Sequence, residues 1–237
     1  MIGIVVVSHS RALADAAVAL ALEMVGGSPP PIAVAAGAGE GVTGTDAIAV
    51  AAAIDEVASP DGVLVFMDLG SAVLSASMAL EFTSTDAEVR LSDAPFVEGV
   101  VAGIVLAAAG ASLADAAREA SSAMTAKNAQ LETSPEPAAE ASVVSNGAVD
   151  LTLLNPLGLH ARPASMIVAA MGGLDAEVSI TDTASPERTV SAKSLMGIMS
   201  LGAAGGHTIR LEASGPDAAR AVDAIRVMAG DGFGELE

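Results

Sequence analysis

Cysteine, tryptophan and tyrosine are absent from this 237-residue chain, and aromatic residues make up only 2% of it. Without cysteine there is no disulfide, no thiolate nucleophile and no cysteine-ligated metal. Four phenylalanines are the whole aromatic complement, too few to build a platform for stacked nucleic-acid bases. Positive charge is also scarce. Ten Lys and Arg against 29 Asp and Glu leave a formal charge of −19. Such a surface repels phosphate backbones, so nucleic acid is not expected as a partner. Long hydrophobic runs are missing as well. The most apolar stretch, 97–111, carries Glu98 and several Ala and Gly, and is shorter than the ~20 residues of a membrane span. The opening MIGIVVVSHSRAL lacks a basic region ahead of its apolar run, so no secretory leader is expected. Composition therefore points to a soluble, cytoplasmic protein with no membrane attachment.

What is present is aliphatic: the hydrophobic fraction is 52%, arranged in short β-branched runs between helical spacings. IGIVVV (2–7), PIAVAA (31–36), GVLVFM (62–67) and AEVRLSD (87–93) read as strands. Helices are predicted over 10–25, 47–57, 71–82, 97–109 and 112–126, the second capped by Thr45 or Asp46. Continuously apolar strands alternating with helices predict an α/β domain over 1–127, a parallel sheet with helices on both faces. Residues 128–148, with LETSPEPAAEASVVSNGA, lose this pattern and read as a flexible linker, the alternative being an extension of the helix before it. Residues 149–237 predict a second, α+β domain. Its strands alternate apolar and polar, as in an open-faced antiparallel sheet with one wet side, and three helices cover the other.

Only three histidines occur in the chain. His9 ends the first strand and Asp68 ends the third. In an open parallel sheet these strand ends share one ligand crevice. A carboxylate beside an imidazole fixes the tautomer and leaves the second nitrogen nucleophilic. Gly70 and Ser71 then open a helix whose free N–H groups suit an anion. The competing reading is that His9 merely caps the helix that follows it. His160 sits at the N-cap or first position of a helix, in LNPLGLHARPAS, with Arg162 two residues on and Pro163 in the first turn. An anion on His160 would meet the guanidinium and the first N–H groups, that of Ala161 included. The helix N-terminus favours the neutral, nucleophilic ring. That arrangement suits a transient phosphohistidine, since phosphoryl transfer asks mainly for charge stabilisation and in-line approach. His207, after Gly205-Gly206, reads as a solvated residue at the start of a strand. No metal-ligand cluster and no Walker-type loop is visible.

NPLGLHARPAS together with SAKSLMGIMSLGA (191–203) closely resembles HPr, the histidine phosphocarrier of the bacterial phosphotransferase system, over about residues 149–235. The resemblance implies that His160 carries phosphate on the ring nitrogen nearer the backbone, that Arg162 binds it, and that Ser194 is a possible regulatory phosphorylation site. VVVSHS, GTDA and VLVFMDLGSAVLS resemble the EIIA domain of DhaM-type phosphotransferase subunits, which share the mannose-type EIIA fold, over about residues 1–127. This implies phosphate on His9, at the nitrogen farther from the backbone, Asp68 as supporting carboxylate, and homodimers formed by this domain.

Together the resemblances imply a phosphoryl carrier acting in dihydroxyacetone phosphorylation. Phosphate passes from enzyme I to His160, then to His9, then to ADP on a DhaL-like subunit that works with a DhaK-like one. Cofactors are then none on this chain, with Mg²⁺ and the nucleotide held by the partner. Because the sequence contains no enzyme I-like part, a separate enzyme I is expected. Two alternatives stay open: a mannose-class sugar component that passes phosphate to an EIIB partner, and a regulatory module that senses phosphorylation without net turnover.

Overall fold

The computed structural model describes residues 1–39, 42–131 and 148–236. The chain divides into two compact units, Met1–Met124 and Thr125–Glu237, each described by itself below.

The first unit is built on a four-stranded parallel sheet in the order β2-β1-β3-β4, from β1 (Gly3–Ser8), β2 (Ile32–Ala36), β3 (Val63–Met67) and β4 (Val89–Leu91). Every residue of β1 and β3 is buried, as expected for central strands covered on both faces. Helices α1 (Arg11–Leu22) and α4 (Phe96–Ala108) pack against each other, as do α2 (Ala47–Val57) and α3 (Gly70–Ala79). Val5, Val7, Val63, Val65 and Met67 share a core with α2 and α3. Phe66 points to the opposite face, under α4. Cβ atoms added at Gly99 and Gly103 would come within 3.2 Å and 2.4 Å of its ring, so these glycines let helix and sheet meet closely. α2 begins where the sequence signalled, with Asp46 as N-cap accepting the Ile48 N–H at 2.9 Å. Thr45 instead bonds Ser75, Oγ to Oγ, at 2.8 Å.

Helix α5 (Leu113–Leu131) runs farther than its expected end at 126. Of the stretch expected as a linker, 128–148, residues 128–131 are therefore helical. TAKNAQL has no Gly or Pro to stop the helix, and its Ala, Lys, Gln and Leu favour it. The rest of that stretch, 132–147, lies outside the described residues.

The second unit carries an antiparallel sheet in the order β5-β8-β6-β7, formed by β5 (Val149–Thr152), β6 (Glu177–Asp182), β7 (Thr189–Ser191) and β8 (Thr208–Ser214). β6 alternates, with Val178, Ile180 and Asp182 buried, which is the one-sided pattern of an open-faced sheet. α6 (Ala161–Met171), α7 (Leu195–Ser200) and α8 (Ala218–Gly230) supply the rest of the core through Ile167, Met171, Leu195 and Ile225. Each such fully buried side chain stabilises by about 1.5–3 kcal/mol. After α8 the chain turns back through Gly232, Phe233 and Gly234, with φ of 56°, 57° and 72°. Left-handed backbone at phenylalanine costs roughly 1–3 kcal/mol. Its ring is 1% exposed, and that burial offsets the strain. Among the described residues, no helix is long and apolar enough to cross a membrane.

Candidate functional site

In the first unit, β1 and β3 are hydrogen-bonded neighbours with Val7 opposite Met67. The residues just beyond, His9 and Asp68, therefore emerge side by side. The His9 backbone N–H donates to Asp68 Oδ2 at 2.8 Å, and ring Nδ1 lies 2.9 Å from Oδ1. The Ser8 hydroxyl donates to Oδ2 at 2.9 Å and the Leu69 N–H to Oδ1 at 2.7 Å. Burial pushes the Asp68 carboxyl up, but these donors outweigh it and hold the group below the usual carboxylate range. A carboxylate only accepts, so the ring proton sits on Nδ1 and Nε2 keeps its lone pair. The Ser71 hydroxyl faces that lone pair at 2.5 Å. α3 starts at Gly70 without a side-chain cap on Leu69, leaving the first-turn N–H groups of Gly70 and Ser71 without intrahelical partners. His9 does not cap α1. Ser10 does, its hydroxyl accepting the Leu13 N–H.

In the second unit, His160 is the N-cap residue of α6 by backbone geometry, with φ −83°, ψ −173° and no side-chain cap bond. The preceding loop is held by a close approach. A Cβ at Gly158 would stand 2.0 Å from the Ala203 carbonyl oxygen, and φ there is +66°, so glycine is required. The Leu159 N–H donates to the same carbonyl at 2.9 Å. Ring Nε2 lies 2.8 Å from Glu235 Oε1. By the same reasoning Nε2 carries the proton and Nδ1 is the open nitrogen. The buried Asn155 donates through Nδ2 to the Gly158 carbonyl at 2.8 Å and to Glu235 Oε2 at 3.0 Å. Ala161 is half-buried at the first turn and the Arg162 side chain is exposed.

The residues expected from sequence thus fall into two groups: His9, Asp68, Gly70 and Ser71 in one unit, and His160, Ala161 and Arg162 in the other. Ser194 belongs to neither contact set. It caps α7, its hydroxyl accepting the Gly197 N–H at 2.8 Å, and α7 packs against α6. Glu235 and Asn155 were not anticipated. His207 differs from expectation: its Nδ1 lies 2.8 Å from Oδ2 of Asp182, a residue 2% exposed, so the ring is anchored rather than free in solvent. Asp182 is on the inward face of β6 and also accepts the Ala184 N–H at 3.0 Å. Among the described residues no group of three His, Asp or Glu side chains could hold a metal ion.

Residues 149–229 match the sequence family described as the PTS HPr component phosphorylation site, and residues 3–130 match the PTS system fructose IIA component. The chain is 41% identical over 245 residues to the phosphoryl donor subunit DhaM of the PEP-dependent dihydroxyacetone kinase of Pantoea ananatis (strain LMG 20103), covering 99% of this chain and 51% of that one. The corresponding subunit of Escherichia coli (strain K12) is 37% identical over 246 residues, covering 100% of this chain and 52% of that one. The phosphocarrier protein HPr of Cupriavidus necator (strain ATCC 17699) is 40% identical over 88 residues, 37% of this chain and 96% of that protein. This chain spans about half the length of the kinase subunits it matches.

Proposed function

The chain belongs to the PTS system fructose IIA component family through its first unit and to the PTS HPr family through its second, and from this premise we propose that it relays a phosphoryl group between two histidines. One observation carries the proposal. Each imidazole has one nitrogen bonded to a carboxylate and the other at a helix N-terminus: Nε2 in His9, met by the Ser71 hydroxyl, and Nδ1 in His160.

Phosphate enters from phospho-enzyme I. The Nδ1 lone pair of His160 attacks phosphorus, a P–N bond forms there, and the donor's P–N bond breaks with its electron pair returning to the donor ring. Arg162 and the Ala161 N–H stabilise the phosphoryl oxygens. In the second step His9 Nε2 attacks, the bond to His160 Nδ1 breaks, and that electron pair returns to Nδ1. The Ser71 hydroxyl turns from the ring to the phosphoryl group, which also meets the Gly70 and Ser71 N–H groups. Asp68 holds His9 in the reactive tautomer throughout. The similarity to DhaM supports ADP as the acceptor. ADP and Mg²⁺ sit on a DhaL-like subunit, and the ATP formed phosphorylates dihydroxyacetone on a DhaK-like one. The first unit pairs as a homodimer. Ser194, at the start of a helix packed on α6, is a regulatory phosphorylation site.

The test is to incubate the full chain with phosphoenolpyruvate, enzyme I and the two kinase subunits. Two acid-labile, base-stable phosphohistidines are expected. His160→Ala abolishes labelling of both positions, and His9→Ala leaves His160 labelled while ATP formation stops. Normal labelling of His9 in the His160→Ala chain, without added HPr, would overturn the order of the relay.

A further inference from the structure

We infer that Glu235 is a positioning residue for phosphoryl transfer at His160, delivered by the left-handed turn over 232–234 and held in place by Asn155; this rests on the carrier reading above.

The two residues lie 75 positions apart in the chain, and nothing local brings them together. The turn after α8 does. Gly232, Phe233 and Gly234 are all left-handed, which reverses the chain within three residues. Among the described residues Phe233 alone of the non-glycines has positive φ. A strained backbone persists where its surroundings over-determine it, and here the buried Phe233 ring anchors it. Gly232 suits glycine by its φ of +56°, and a Cβ there would stand 2.4 Å from Leu236 Cγ, so that exposed side chain would have to shift. Directly after this turn comes the carboxylate on His160 Nε2.

Asn155 makes the contact specific. Its Nδ2 donates both to the Gly158 carbonyl, in the loop that carries His160, and to Glu235 Oε2. One buried amide therefore ties the carboxylate to the backbone that sets the ring. Its two acceptors also fix which way the amide faces. Its own Oδ1 is buried without a partner. That penalty is tolerated for the two donor bonds.

The chemical consequence is that Nε2 keeps its proton through the whole cycle. When Nδ1 takes phosphate, the ring becomes a phosphorylated imidazolium bearing Nε2–H, and the Glu235 carboxylate faces that charge. When phosphate leaves, the electron pair returns to Nδ1 and the ring departs as neutral imidazole. No proton needs to arrive or leave during transfer. Asp68 gives His9 the same service from the opposite nitrogen, so the two rings are wired in mirror fashion.

The experiment uses the full chain with phosphoenolpyruvate and enzyme I, comparing the parent with Glu235→Ala, Glu235→Gln and Asn155→Ala. Glu235→Ala is expected to lower the maximal rate of His160 phosphorylation about tenfold or more, with the KM for the chain changed less than about twofold. Nitrogen-edited NMR of the unphosphorylated parent should show a His160 Nε2–H proton protected from exchange, and Glu235→Ala should lose it. Glu235→Gln keeps an acceptor of the same size and should recover part of the rate. Asn155→Ala should fall between parent and Glu235→Ala. If Glu235→Ala melts early, the Gln variant decides: a rate equal to the parent's then overturns the inference. A labelled parent with an unaffected Glu235→Ala variant overturns it alone. A parent chain that takes no phosphate at all removes the carrier reading, and this inference with it.

Discussion

The two histidines are supported in opposite ways. His9 leans on a carboxylate from the next strand of its own sheet, and four donors converge on that carboxylate. His160 leans on a carboxylate brought from 75 residues away by a strained turn and held by a single amide. The first support is part of the sheet: strand pairing that forms the unit also forms the site. The second can be lost while the sheet and helices remain. The comparison shows how one chemical device, a carboxylate on one nitrogen and the second nitrogen turned to a helix N-terminus, can be built either by topology or by an added segment.

The largest effect should come from breaking the built-in support. In Asp68→Asn one carboxylate oxygen becomes an NH₂ group facing donors, so at least one of the Ser8, His9 and Leu69 contacts is lost. Transfer through His9 is expected to fall by about 10²- to 10⁴-fold, with His160 labelling by enzyme I unchanged. A time course of phosphate on each histidine, resolved by peptide, measures both. Equal rates in the variant and the parent would reduce Asp68 to a structural residue.

A packing change sharpens the same contrast. Gly103→Ala places a Cβ 2.4 Å from the Phe66 ring, and ring and helix must part. Overpacking of this kind costs about 1–3 kcal/mol. Since Phe66 lies on β3, two residues before Asp68, the first unit should melt earlier and its His9 chemistry weaken. The second unit's labelling should not change. Separate melting of the two units, followed by calorimetry, reads this directly.

Sequence carried most of the fold and only part of the site. α2 over 47–57 and α6 over 161–171 were readable to the residue, because caps and breakers mark their ends. β4 is shorter than the 87–93 run: only Val89, Arg90 and Leu91 pair, opposite Val63, Leu64 and Val65, and β3 continues beyond them. His9 and Asp68 were legible because strand ends of a parallel sheet meet by rule. Glu235 was not: an acidic residue near the last helix resembles a solvated one until the turn is known. GFG between Asp231 and Glu235 was the available signal, two glycines around a bulky apolar residue. Asp182 was hidden for a related reason. Only the β6–β8 register, which sets Asp182 opposite Ile209, reveals that an inward carboxylate reaches His207.

Acid titration should separate the units more gently. The Asp68 carboxyl is held below its ordinary value in the folded chain. The unfolded chain binds its proton first as pH falls. The stabilisation is therefore fully present above the ordinary carboxylate pKa and is lost as pH drops through the depressed one. Asp55, half-buried and bonded by Ser84 and Thr85, shifts the same way. Urea melts of the first unit should thus lose part of their acid dependence in Asp68→Asn. An unchanged slope of stability against pH would show that another group governs the acid limb.

The smallest effect tests how far the two sites can be superimposed. Each histidine is followed two residues later by arginine, Arg11 after His9 and Arg162 after His160. The likeness suggests equal roles, but the local structure separates them. Arg11 Nε is bonded to both oxygens of Asp15 across one helical turn, at 2.8 and 3.0 Å, with both side chains more than half exposed. Exposed pairs of this kind contribute about 0.3–0.5 kcal/mol. The first site has the Gly70 and Ser71 N–H groups and the Ser71 hydroxyl for an anion. The second has Pro163 in its first turn, which offers no N–H, so the guanidinium of Arg162 has more to supply. Arg11→Ala should therefore shift the stability of the first unit by less than about 1 kcal/mol and leave His9 labelling within about threefold. Arg162→Ala should slow His160 labelling well beyond that. Comparable losses in the two variants would mean that Arg11 leaves Asp15 for the phosphoryl group, and the sites would then share their arginine as well as their carboxylate.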